Sequence, residues 1–126
     1  MGRVVGIGGL FIRSQQPDVM QAWYRDVLGL QMEDWGGAVL HRQAATPTYQ
    51  IWSVFSSDTT YYEPSTSPFM LNLAVDDMLG MIAHIREHGS DVCGGPETNE
   101  HGMFAWILDP DGNKIELWQA PAQISK

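Results

Sequence analysis

DPDGNKIELW, residues 109–118, decides the fold. Pro110 presets one turn angle and Gly112 accepts a positive φ, so DPDGN is a hairpin turn. KIELW after it alternates as a strand does, with Ile115 and Leu117 on one face and Lys114, Glu116 and Trp118 on the other. The run before it, residues 103–108, is apolar and reads as the opposing strand. Upstream, Asp76 or Asp77 caps a helix over about 78–87, with Met78, Ile82 and Ile85 on one face and Gly89 at its exit. FMLNLAV, residues 69–75, is the strand that feeds that helix. Residues 91–94 leave room for one more short strand. The second half therefore reads strand, helix, strand, strand, strand.

The first half repeats this order. Residues 4–13 form a strand candidate rich in Val, Ile, Leu and Phe. An amphipathic helix follows over about 18–28, with Val19, Ala22, Trp23 and Val27 at helical spacing and Gly29 at its end. Strands are predicted near 38–43 and 48–55, with space for a short one near 34–37. LGL at 28–30 and HGS at 88–90 mark equivalent helix exits. Between the halves, residues 56–68 form a polar connector with Pro64, Pro68 and the pair Tyr61–Tyr62. The chain thus reads as an α+β fold, one domain over 1–126. It is built from two such halves, at 4–57 and 68–120, whose sheets could pair into one curved surface with helices outside.

Composition narrows function. Seven basic and fifteen acidic side chains give a net charge of −8, which argues against nucleic acid and against an anionic membrane surface. Residues 1–60 carry four basic and five acidic groups; residues 61–126 carry three and ten. Hydrophobic residues make up 44% of the chain, enough for a core. The single cysteine, Cys93, excludes an intramolecular disulfide and a cysteine-cluster metal site, and it has no basic neighbour to activate it. No stretch resembles a signal peptide or a membrane span, so the expectation is a cytoplasmic protein.

WYRDVLGL at 23–30 and DPDGNKIELW at 109–118, with FMLNLAVDD at 69–77 between them, resemble the vicinal oxygen chelate superfamily over about residues 5–120. That superfamily includes glyoxalases, extradiol dioxygenases and bleomycin-binding proteins. The resemblance implies two βαβββ modules, at 4–57 and 68–120, forming an open, cup-shaped mixed sheet with helices outside, and a homodimer, in some members with exchanged modules. Its metal enzymes draw four ligands from four strands. Carried over singly, those positions fall on Gly9, Gln50, Met70 and Glu116. Glycine offers no donor, a thioether is a poor ligand for hard divalent ions, and one amide with one carboxylate does not replace a hydration shell. No metal site is therefore expected. His84 and His88, spaced i, i+4, read as a solvated helix face, and His101 as a loop residue.

Strand alternation then assigns the cup lining. Phe11, Trp52, Met70 and Trp118 supply apolar surface, while Arg13, Gln50, Asn72 and Glu116 supply polar points. Phe104 and Trp106 share one face of their strand, but which face depends on the register of the turn. Such a lining fits a hydrophobic or aromatic small molecule. Glu116 is the catalytic candidate. Buried without a cation it becomes a general acid or base; its structural alternatives are an ion pair with Arg13 or Lys114, or a hydrogen bond to Gln50. The leading expectation is a metal-independent, cofactor-free binding protein. The alternative is a glyoxalase-like lyase, isomerase or dioxygenase that uses a divalent metal, or Glu116 as acid/base.

Overall fold

The computed structural model describes residues 1–122. Residues 123–126, the end of the domain read over 1–126, lie outside the described part. Two helices and four strands follow in the order α1 (Pro17–Asp26), β1 (Leu71–Ala74), α2 (Met78–Glu87), β2 (Val92–Asn99), β3 (Gly102–Leu108) and β4 (Lys114–Gln119). The strands form one mixed sheet in the order β1-β4-β3-β2. β1 runs parallel to β4, α2 carries the chain from β1 to β2 at the far edge, and β2, β3 and β4 are antiparallel neighbours.

Each element of the second half has a local cause. Asp77 caps α2, its side chain accepting from the Gly80 amide, which satisfies one of the donors left free at a helix start. Both helices end at a glycine with positive φ, Gly29 at 78° and Gly89 at 74°, where a side chain would be strained. Asp109 builds the β3–β4 turn. Its Oδ1 accepts from the amides of Asp111 and Asn113, and its Oδ2 from the Asn113 side-chain amide. β2 is longer than the short strand expected there. It carries register shifts on either side of Gly94, next to Gly95 with its φ of 78°.

The core lies between one face of the sheet and the two helices. Leu71, Ala105, Ile107, Ile115 and Leu117 come from the sheet, and Met78, Ile82 and Ile85 from α2. From α1 come Met20 and Tyr24, and from its C-terminal cap Val27. The alternation predicted for β1 and β4 is observed. Ile115 and Leu117 are buried against the helices, at about 1.5–3 kcal/mol per side chain relative to exposure. α1 is tied to the second half by polar contacts as well. The Tyr24 hydroxyl donates to Asp109 Oδ2 at 2.7 Å, and the Trp23 indole donates to Ser90 Oγ at 3.0 Å. Burial, then the bond to Asp109, pushes the Tyr24 phenol far above its usual range, so it stays a donor.

The first half differs from expectation. Residues 4–13, 38–43 and 48–55 run without a strand ladder, and the structured contacts of the segment between α1 and the connector include one isolated bridge, Met32 to Ala38. The physical reason is one of partners. A strand exists only through the chain beside it, and these segments meet no sheet edge within the described residues. Their apolar side chains are left open: Val4, Phe11, Leu40 and Trp52 are 91%, 92%, 72% and 81% exposed. A hydrogen bond links the 4–13 and 48–55 segments, from the Ile7 amide to Gln50 Oε1 at 2.9 Å. The fold is α+β with an open mixed sheet, as the sequence indicates; the sheet is that of the second half.

Candidate functional site

The sheet face turned away from the helices carries the candidate site. The β3–β4 register sets Phe104 opposite Trp118, Trp106 opposite Glu116 and Leu108 opposite Lys114. The β1–β4 register sets Asn72 beside Glu116 and Ala74 beside Trp118. This resolves the face of Phe104 and Trp106, which alternation alone left open. Both lie with Glu116, and their rings are near parallel, 14° apart in plane with centroids separated by 6.5 Å.

Glu116 is the polar centre of this face and only 9% exposed. Its Oε1 accepts from Asn72 Nδ2 at 2.7 Å, and its Oε2 from the Trp106 indole at 3.0 Å. Oε2 also accepts a short hydrogen bond from the Tyr61 hydroxyl. Three of about four carboxylate acceptor positions are thus filled, all by neutral donors. The partners differ from each of those anticipated. Gln50 bonds the Ile7 amide instead, Arg13 is exposed on the unladdered 4–13 segment, and Lys114 turns aside to donate to the Tyr61 carbonyl at 2.6 Å. From there the Lys114 ammonium sits 5.3 Å from the Tyr61 ring centroid and 5.9 Å from that of Trp106, close enough for cation–π attraction to both.

Tyr61 is the residue sequence reasoning missed. It lies in the polar connector, and its signal was an aromatic pair, Tyr61–Tyr62, among serines and threonines. Phe55 stacks on it at 5.6 Å and 6°, and Trp106 meets it edge-on at 6.2 Å. Burial, then the bond to Glu116, raises its phenol to about 12. It therefore stays protonated and donating through the neutral range.

Of the predicted lining, the structure brings together Asn72, Glu116 and Trp118. Met70 is half-buried just before β1. Trp118 is buried, its indole donating to the His101 carbonyl at 2.8 Å, with the Tyr49 ring 5.7 Å away. Phe11, Arg13, Gln50 and Trp52 do not join them; all four stand exposed on the first-half segments.

The donor set does not fit a hard divalent ion. Gly9 has no side chain, Met70 offers sulfur, the Gln50 oxygen is engaged by Ile7, and Glu116 is enclosed by three donors. Among the described residues no group of three or more His, Cys, Asp or Glu side chains could hold a metal ion. His84 and His88 bond backbone carbonyls, those of Asp26 and His84.

Residues 6–117 match the Glyoxalase/Bleomycin resistance protein/Dioxygenase superfamily, and the chain belongs to that family. No match was found among curated proteins. An antibiotic-binding protein, TnmS3, from Streptomyces sp. CB03234 shares the fold. It has 22% identity and a TM-score of 0.54 over 86% of this chain and 88% of that one. A glyoxalase/bleomycin resistance protein from the same organism is 41% identical over a shorter stretch, 39% of this chain and 42% of its own, with a TM-score of 0.36. An integron cassette protein from the mobile metagenome of V. cholerae matches with a TM-score of 0.50 and 19% identity, over 79% of this chain and 83% of that one. No helix among the described residues is long and apolar enough to cross a membrane.

Proposed function

We propose that this protein binds a hydrophobic or aromatic small molecule on the outer sheet face, without a divalent metal, as a cytoplasmic homodimer. The observation that carries the reading is the pair of near-parallel rings of Phe104 and Trp106 beside Glu116. Flat π faces next to a fixed polar point favour a planar ligand with one polar group for orientation. The antibiotic-binding protein of the same fold supports a small-molecule ligand. Metal independence rests on the donor set. Glu116 is held by three neutral donors at the position where metal-using members present a ligand. The same bonds oppose an acid–base role, which would require the carboxylate to be freed first.

The homodimer is supported by the first half. Val4, Val5, Phe11, Leu40, Ile51, Trp52 and Val54 are each more than 65% exposed, on segments whose backbone groups lack a ladder. Such chain invites strand pairing with another copy, and covering it supplies much of the roughly 800 Å² per partner of a standard interface. In that assembly Phe11, Arg13, Gln50 and Trp52 are brought into a lining.

The test is a thermal-shift screen of planar aromatic antibiotics against protein dialysed into chelator, with mass measured by light scattering. A binder that raises the transition in chelator, and a mass near twice 14.1 kDa, are expected. Stabilisation that vanishes in chelator and returns with a divalent ion contradicts the metal-free reading. A monomer at micromolar concentration contradicts the assembly.

A further inference from the structure

A cavity of about 570 Å³, lined from Ser53 to Pro68, opens beside the sheet face at the connector. Its walls carry seven serine and threonine side chains, the rings of Phe55 and Tyr62 and the carboxylate of Glu63, and no lysine or arginine. Three of the hydroxyls are committed to the connector's own turns and a fourth to the β3–β4 turn. Ser56 donates to Asp58, Thr59 accepts from the Tyr61 amide, Ser65 accepts from the Ser67 amide, and Ser67 donates to Asn113. These bonds fix the walls. Ser53, Ser57 and Thr66 stand outside them.

The geometry points to a subsite for a neutral or amino-bearing sugar. Hydroxyl side chains both donate and accept, which matches a polyol ring that presents the same groups. Phe55 and Tyr62, their rings 5.4 Å apart and tilted by 59°, offer an apolar surface for the C–H face of such a ring. Glu63 accepts from sugar hydroxyls and attracts an ammonium group. A wall with one carboxylate and no cation repels phosphate and sulfate esters. The cavity also adjoins the sheet-face site, because Phe55 lines it and stacks on Tyr61, whose hydroxyl bonds Glu116. A ligand with a planar part on Phe104 and Trp106 can therefore extend a glycosyl substituent into the connector. This inference rests on the aromatic-ligand reading and adds the class of the appended group.

The test is calorimetric titration of the full chain with daunorubicin, a planar aromatic amino-glycoside, and with its sugar-free aglycone. The glycoside is expected to bind at least tenfold more tightly. Thr66→Val combined with Ser57→Ala is expected to lower glycoside affinity at least fivefold and leave aglycone affinity unchanged. Circular dichroism verifies the fold of the variant, and Glu63→Gln alone serves as a milder second variant, expected to weaken the glycoside selectively. Equal affinity for the two compounds, or equal losses for both in the variants, overturns the sugar subsite and leaves the aromatic site standing. Absence of binding by either compound overturns both.

Discussion

Replacing Glu116 separates a carboxylate that organises the sheet face from one held ready for chemistry. Glutamine at this position can satisfy every neighbour. Its carbonyl takes the place of Oε2 and accepts from Tyr61 and Trp106, and its amide donates to Asn72 once the Asn72 side chain turns over. What is lost is charge assistance in three bonds, against which stands the relief of no longer burying a carboxylate. The net cost of Glu116→Gln is therefore about 1 kcal/mol or less. Glu116→Leu behaves differently, because it strips the acceptor from all three donors. Asn72 and the 38%-exposed Tyr61 recover water, while the half-buried Trp106 indole does not do so fully. One orphaned donor plus the lost charge-assisted bonds gives about 2–3 kcal/mol. Urea unfolding followed by far-ultraviolet circular dichroism measures both, and avoids a tryptophan signal that the substitutions themselves perturb. A glutamine variant as unstable as the leucine variant, or a leucine variant as stable as wild type, refutes the wiring of Glu116 described above.

Tyr24→Phe removes the buried bond to Asp109 and is expected to cost about 1.5–3 kcal/mol in urea unfolding, since the acceptor is a carboxylate. A loss under 0.5 kcal/mol would show that α1 does not depend on that anchor. Tyr61 supplies a pH dependence. Its folded-state phenol is raised from 10.0 to about 12, so the stability it contributes is complete below pH 10 and is lost as pH rises through about 12. Tyr61→Phe should flatten the alkaline limb of the melting-temperature profile between those values, and an unchanged limb counts against the Tyr61–Glu116 bond.

The second half was legible because its signals are local. DPDGN specifies a turn whose Asp109 side chain bonds within four residues, and Asp77 caps the helix that follows it. Alternation in KIELW then places Ile115 and Leu117 in the core without knowledge of the rest of the molecule. Contacts set by distant chain leave no such local signal. The face of Trp106 needed the register across the hairpin. The partners of Glu116 needed the path of the connector, which delivers Tyr61 from 55 residues away. Residues 4–13 and 48–55 have the composition of strands, but composition does not supply the neighbouring chain that turns an extended segment into a ladder.

In the proposed function a planar ligand stacks on Phe104 and Trp106 with no metal between it and the protein. Titrating daunorubicin into chelator-dialysed wild type and Trp106→Ala, with Phe104→Ala as a second variant and circular dichroism as the fold control, tests it most directly. Saturable binding to wild type, weakened at least tenfold in both variants, is the predicted result. Equal affinity in all three proteins, or binding to wild type only after a divalent ion is added, contradicts the account.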